Sequence, residues 1–129
     1  MRFLFLLFPA LLVAQTLDFE IYRTQVEPIF LKKRPEHARC VVCHVAALSR
    51  FHLEPLDDGK TSWTAEQTRQ NFAAVSQLVN FKDALASPIL KHPLAESAGG
   101  DKAHSGGEQF KTRDDADWKK IEAWIRSAK

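Results

Sequence analysis

The segment Cys40-Val41-Val42-Cys43-His44 constrains this chain more than any other feature, because Cys-x-x-Cys-His is the spacing that covalent haem attachment requires. Two cysteines three positions apart on a turn of helix can each add to one vinyl group of the same haem, and the next residue then lies under the iron. Cys40 and Cys43 are thus the candidate attachment residues and His44 the candidate proximal axial ligand of one haem c. Two other uses of the motif compete. A dithiol redox pair normally opens a helix after a strand in a βαβ unit, and no strand-like run precedes Cys40. A zinc site needs two further Cys or His ligands at their own short spacing, and with two cysteines in the chain these would have to be scattered histidines.

The N-terminus supplies independent support for haem attachment. After Met1 and Arg2 comes the unbroken apolar run Phe3 to Val13, then Ala14, a small residue suited to cleavage before Gln15. Residues 1–14 read as a secretory signal and 15–129 as the mature domain. The run is about half of the ~20 residues that a membrane-spanning helix needs, so no span is expected after signal removal. Export, to the periplasm or beyond, matches a compartment in which c-type haem is attached.

About 115 residues remain, which is one domain by length. Removing Arg2 leaves 17 basic against 16 acidic side chains, a net charge of +1. Neither a nucleic-acid footprint nor an acidic tail is present.

The patterning is helical throughout. From Thr16 or Asp18, either of which can cap a helix, Phe19, Tyr22, Val26, Ile29 and Phe30 recur at spacings of three and four, with Pro28 expected to end or kink the helix near Glu27. Thr64-Ala65-Glu66-Gln67 has the form of a capping box ahead of a face of Phe72, Val75 and Val79, reaching to about Asn80. Asp114, Asp115 and Asp117 suit the start of a C-terminal helix whose stripe is Trp118, Ile121, Trp124 and Ile125, with both tryptophans expected in the core. Phe51 to Leu56 alternates like an extended edge segment, and Ser87-Pro88-Ile89-Leu90 reads as a short helical turn capped by Ser87 and closed by Pro93. The loop Ala95 to Gln109 then holds four of the five glycines, in two pairs around His104.

The sole methionine, Met1, lies in the expected signal, so a thioether ligand is excluded from the mature chain. The candidates for the far side of the iron are four histidines. His37 lies too close to the motif on the attachment side, and His52 takes a polar slot pointing away from Phe51 and Leu53. His92 sits before Pro93 with little slack. His104 is preferred, because its glycine neighbours let the backbone lie close to a flat group, with His92 next and an open iron after that.

Taken together, Val26-Glu27-Pro28-Ile29-Phe30, the Cys40 to His44 motif, Phe51-x-Leu53-x-Pro55-Leu56, Trp63-Thr64, Ser87-Pro88-Ile89-Leu90 and Trp124-Ile125 resemble class I-type monohaem c cytochromes of environmental bacteria. The nearest resemblance is to those with a His-x-Gly-Gly loop in place of the methionine loop, through His104-Ser105-Gly106-Gly107. The resemblance implies an all-α, small cytochrome c-like domain whose N- and C-terminal helices cross, with the haem gripped at one exposed edge. It also implies an electron carrier rather than an enzyme, with His44 and His104 as the iron ligands and redox proteins as partners. The missing methionine argues against the high potential of His/Met members.

Two other functional classes share these residues: a haem with an open sixth site, peroxidase-like or gas-sensing, and a haem module that stacks on copies of itself or docks on a larger redox complex. No distal Arg-His or Glu constellation supports the first. Lys32, Lys33, Arg34 and Arg39, just before the motif, are either a docking patch for an acidic partner or a solvated face.

Overall fold

A computed structural model describes residues 13–46, 49–102 and 104–129. The expected signal lies almost wholly outside the described residues. Among them the protein is mostly helical, with no strand and one isolated bridge between Leu94 and Phe110. None of these helices is long and apolar enough to cross a membrane.

Helix α1 begins at Asp18, whose carboxylate accepts from the Ile21 N–H at 2.9 Å, and runs as Phe19–Ile21, a π-helical Tyr22–Val26 and Glu27–Leu31. Of the two outcomes expected at Pro28, an end is corrected, because the helix continues to Leu31; what changes near Glu27 is its hydrogen-bond register. The Glu27 N–H reaches back five residues to the Tyr22 carbonyl, so the helix widens by one residue just before the proline. Pro28 then occupies the first turn of the resumed α segment, where its missing N–H costs little. The spaced apolar residues bury as their period demands, Tyr22, Val26, Ile29 and Phe30 all lying in the core.

Helix α2 is the motif itself, Cys40–His44, and α3 is Ala65–Ser76. The Thr64 capping box forms in both directions, Gln67 N–H to Thr64 Oγ1 at 3.2 Å and Thr64 N–H to Gln67 Oε1 at 2.9 Å. This helix stops at Ser76, short of the expected Asn80, because its last N–H groups turn to carbonyls three residues back and tuck Leu78 into the core. Helix α4 is Pro88–Lys91. Ser87 stands at its cap position, yet its hydroxyl does not cap the helix; it accepts from the Asn80 N–H at 2.9 Å and ties α4 to the end of α3.

Helix α5, Ala116–Arg126, closes the fold. Asp115 caps it, accepting from Asp117 N–H at 2.9 Å and Trp118 N–H at 3.2 Å. Both tryptophans are core residues with their polar ends satisfied: Trp118 donates to the Leu90 carbonyl at 3.0 Å and Trp124 to the Asp18 carbonyl at 2.9 Å. Trp124 also meets Tyr22 of α1 at 5.5 Å between ring centroids, and Phe72 of α3 meets Tyr22 at 5.2 Å. Helices α1, α3 and α5 therefore share one aromatic seam. The two ends of the domain pair as well, through Thr16 N–H to Lys129 O at 2.8 Å and Lys129 N–H to Thr16 O at 3.1 Å.

Polar groups inside this core are paired. Glu27 of α1 accepts from Thr68 at 2.9 Å and Asn71 at 3.3 Å, both on α3, and Asn71 in turn accepts from the Glu54 N–H at 2.7 Å. The segment 51–56 is extended with Leu53 fully buried and His52 exposed, as its alternation requires. Asp117 is also buried and binds Arg34 at 2.6 Å and Lys32 at 2.7 Å. Arg34 lies over the Phe110 ring, 4.6 Å from its centroid.

Candidate functional site

Helix α2 and the glycine loop face each other across a cavity of about 580 Å³. Its size is that of a small-molecule or cofactor site, and its walls are mostly apolar, with Ile29, Phe30, Leu78 and Ile89 among them. Cys40, Cys43, His44 and His104 all line it. So does His92. Arg39 and Arg50 stand on the wall, and among the described residues no Asp or Glu does.

The His44 and His104 rings lie 6.2 Å apart between centroids, their planes 24° from parallel. Each ring is held by its Nδ1. In His44, Nδ1 pairs with the Phe51 carbonyl at 2.9 Å and the Ser49 hydroxyl at 3.2 Å. In His104, Nδ1 pairs with the Gly107 carbonyl at 2.7 Å. A backbone carbonyl only accepts, so Nδ1 is the donor in both rings, and in the neutral ring this leaves Nε2 with its lone pair, the tautomer a metal ligand needs. Burial lowers the His44 pKa, the neighbouring His104 adds to that, and the Phe51 hydrogen bond works against it; the net effect favours the neutral ring.

The glycines work as their positions suggest. Gly107 has φ +86, and a Cβ there would meet His37 Nδ1 at 2.9 Å; a Cβ on Gly106 would lie 3.9 Å from Cys43 Sγ. The loop thus lies close against Cys43 of α2 and against His37.

The two cysteines are free thiols, Cys40 half-buried and Cys43 exposed. Burial pushes the Cys40 thiol up to about 11. That is the reverse of the depressed value a dithiol redox motif uses, and no strand precedes α2 among the described residues. Nor do the described residues gather three or more His, Cys, Asp or Glu side chains into a set for a bare metal ion.

The other histidines sit elsewhere or are held otherwise. His52 is exposed, 3.7 Å from Glu54. His37 packs under Gly107. His92 also borders the cavity and, like His44 and His104, is held through Nδ1, here by the Asp101 carboxylate, itself 3.7 Å from Lys91; what sets it apart is that its side chain is 60% exposed. The basic cluster before the motif is partly spent inside the molecule: Asp115 and Asp117 engage Arg34, Asp117 engages Lys32, and Lys33 donates to the His37 carbonyl. Arg39, at the cavity wall, has no carboxylate partner among the described residues.

Sequence reasoning did not find Ser49 and the Phe51 carbonyl behind His44, the Asp101 partner of His92, or Gln109. Gln109 is buried at the cavity wall and donates to Ala38 O at 3.3 Å and Gly106 O at 3.4 Å. Nothing in the sequence marks these partners, since one is a backbone carbonyl and the others are lone polar residues in loops.

No protein-family model, curated protein or solved structure matches the chain.

Proposed function

We propose that this is an exported electron-transfer protein, a small cytochrome c-like domain that carries one haem c on Cys40 and Cys43 with His44 and His104 as axial ligands. The observation that carries the reading is the pair of imidazoles. Two rings bound end-on through Nε2 to one metal, at about 2.0 to 2.1 Å each, have centroids roughly 6.3 to 6.5 Å apart, and His44 and His104 stand close to that, at 6.2 Å. Both thiols of the Cys-x-x-Cys-His motif line the same cavity.

The residues around the cavity suit the group chemically. Thioether formation adds each S–H across a vinyl C=C, the sulfur bonding one carbon and the hydrogen the other, and it needs no further reagent. Arg39 and Arg50, with no described carboxylate beside them on the wall, suit the haem's two propionates. Bound there, the haem supplies a one-electron iron couple. The chain's own contribution is to fix that couple. Phe51 and Gly107 carbonyls orient the two imidazoles and raise their basicity, which favours ferric iron and a potential below that of His/Met cytochromes. The apolar walls would exclude water from a haem held there, and His44 and His104 together would leave it no open site for a substrate.

The test is protein made alongside a haem-attachment system. The haem should stay bound in acidified organic solvent, the mass should exceed the chain by one haem, and the spectrum should be low-spin in both oxidation states. His104→Ala should turn the ferric haem high-spin, while His92→Ala should leave it low-spin. A colourless protein refutes the haem, and a low-spin His104→Ala variant refutes the ligand assignment.

A further inference from the structure

The glycine loop is fixed at its ends by backbone hydrogen bonds. On one side the Gly100 N–H donates to Ala95 O at 2.9 Å and the Asp101 N–H to Lys91 O at 3.3 Å. On the other, the Phe110 N–H donates to Pro93 O at 3.0 Å, and Phe110 O accepts from the Ala95 N–H at 2.9 Å. Between these anchors the described hydrogen bonds are few. His104 closes on Gly107 twice, through its ring and through Gly107 N–H to His104 O at 2.9 Å, but that tie is internal to the loop. It shapes the turn without attaching it to anything.

Among the described residues the attachment comes from one side chain. Gln109 is 8% exposed, is held beside the anchored Phe110, and donates its amide Nε2 to Gly106 O at 3.4 Å and to Ala38 O at 3.3 Å. Gly106 lies two residues after His104, and Ala38 two residues before Cys40. A single buried amide therefore joins the loop that carries the distal imidazole to the segment that carries the attachment helix. We infer that Gln109 is a positioning residue for the distal ligand, holding the His104 loop closed over the cavity; this rests on the haem reading above.

A flexible loop makes its imidazole compete for the metal at reduced effective concentration, whereas a pinned loop has met the ordering cost on folding. Removal of both amide bonds, at ~0.5–1.5 kcal/mol net each, should loosen His104 about tenfold. An external ligand that must displace His104 reads that loosening directly. Full-length ferric holoprotein is titrated with potassium cyanide and followed by absorption. Gln109→Leu, with Gln109→Asn as the second variant should Leu not fold, is expected to lower the apparent cyanide Kd about tenfold. In a His104→Ala background the same change should have no effect, because nothing is left for Gln109 to position. An unchanged Kd in the single variant overturns the inference, and so does an equal gain in the His104→Ala background, which would make Gln109 a wall residue only. Wild-type protein that is colourless or already high-spin fails at the earlier step, refuting the haem or ligand reading and this inference with it.

Discussion

Gly100 leaves the least room for a side chain of any glycine described, and Gly100→Ala tests the fold there without reference to any bound group. A Cβ on Gly100 would stand 1.7 Å from the Leu94 carbonyl oxygen, 2.4 Å from its carbon and 3.0 Å from Ala95 O. Carbon and oxygen in contact sit at roughly 3.3 Å or more, so the chain must move about 1.6 Å at this point. The obstacle is backbone, and it cannot rotate away. Leu94 and Ala95 are both about 2% exposed, and the same few residues carry Gly100 N–H to Ala95 O, Asp101 N–H to Lys91 O and Ala95 N–H to Phe110 O. A shift of that size breaks at least two of these bonds. At ~0.5–1.5 kcal/mol for each bond lost, and more for any carbonyl left buried without a partner, the expected cost is about 3 kcal/mol. A domain of this length has ~5–15 kcal/mol to lose, so the variant should still fold. With a urea slope of ~1.5 kcal/mol/M, its unfolding midpoint should drop by about 2 M. A midpoint within ~0.3 M of the parent would refute the packing of the 94–100 turn.

The buried clamp between the pre-motif segment and α5 makes a second expectation: Asp117→Asn should cost about 2–4 kcal/mol in urea unfolding, since it strips Arg34 and Lys32 of their shared carboxylate while Arg34 keeps Asp115. Burial alone would raise the Asp115 and Asp117 carboxyls, but the hydrogen bonds and charges of Arg34 and Lys32 outweigh it and hold both below the ordinary carboxylate value. Such groups stabilise the fold fully above their unfolded pKa, so that contribution should fade as pH falls below about 4. Asp117→Asn should flatten this acid limb, and an unchanged limb would show that the clamp is not its source. Trp118→Phe should lower stability by about 1–3 kcal/mol in the same assay, because it strands the buried Leu90 carbonyl that the indole N–H now satisfies at 3.0 Å.

The helices were legible because their signals are local. The Thr64 box, the Asp115 cap and the stripes of α1 and α5 depend on residues within two turns of one another, and each formed where the spacing predicted. Where the outcome differed, hydrogen bonds that the residue pattern does not encode decided it. Ser87 gave its hydroxyl to Asn80 instead of its own helix, and α3 stopped at Ser76 so that Leu78 could bury. Pro28 stayed inside α1 because one π turn before it changed the hydrogen-bond register, a choice that no propensity encodes. The candidate site divides the same way. Cys40, Cys43 and His44 are contiguous and read as a motif, and His104 was singled out by its glycines. Its partners, the Gly107 carbonyl and the Gln109 amide, become visible only once the loop is folded.

The basic run before the motif is the case in which one-dimensional reading overcounted. As a string, Lys32, Lys33, Arg34 and Arg39 look like four charges available to a partner. In the fold Lys32 and Arg34 bind Asp117, Arg34 also binds Asp115, and Lys33 closes on its own segment at His37. Arg34 is 15% exposed and stacks on Phe110, a wall residue of the cavity, so its charge supports the site from behind. The positive charge left at the cavity belongs to Arg39 and Arg50, which are 11 residues apart in sequence and form no run. Charge that is already paired with buried carboxylates contributes little long-range attraction. The run that suggested a patch therefore serves chiefly to hold α5 against the segment that leads into Cys40.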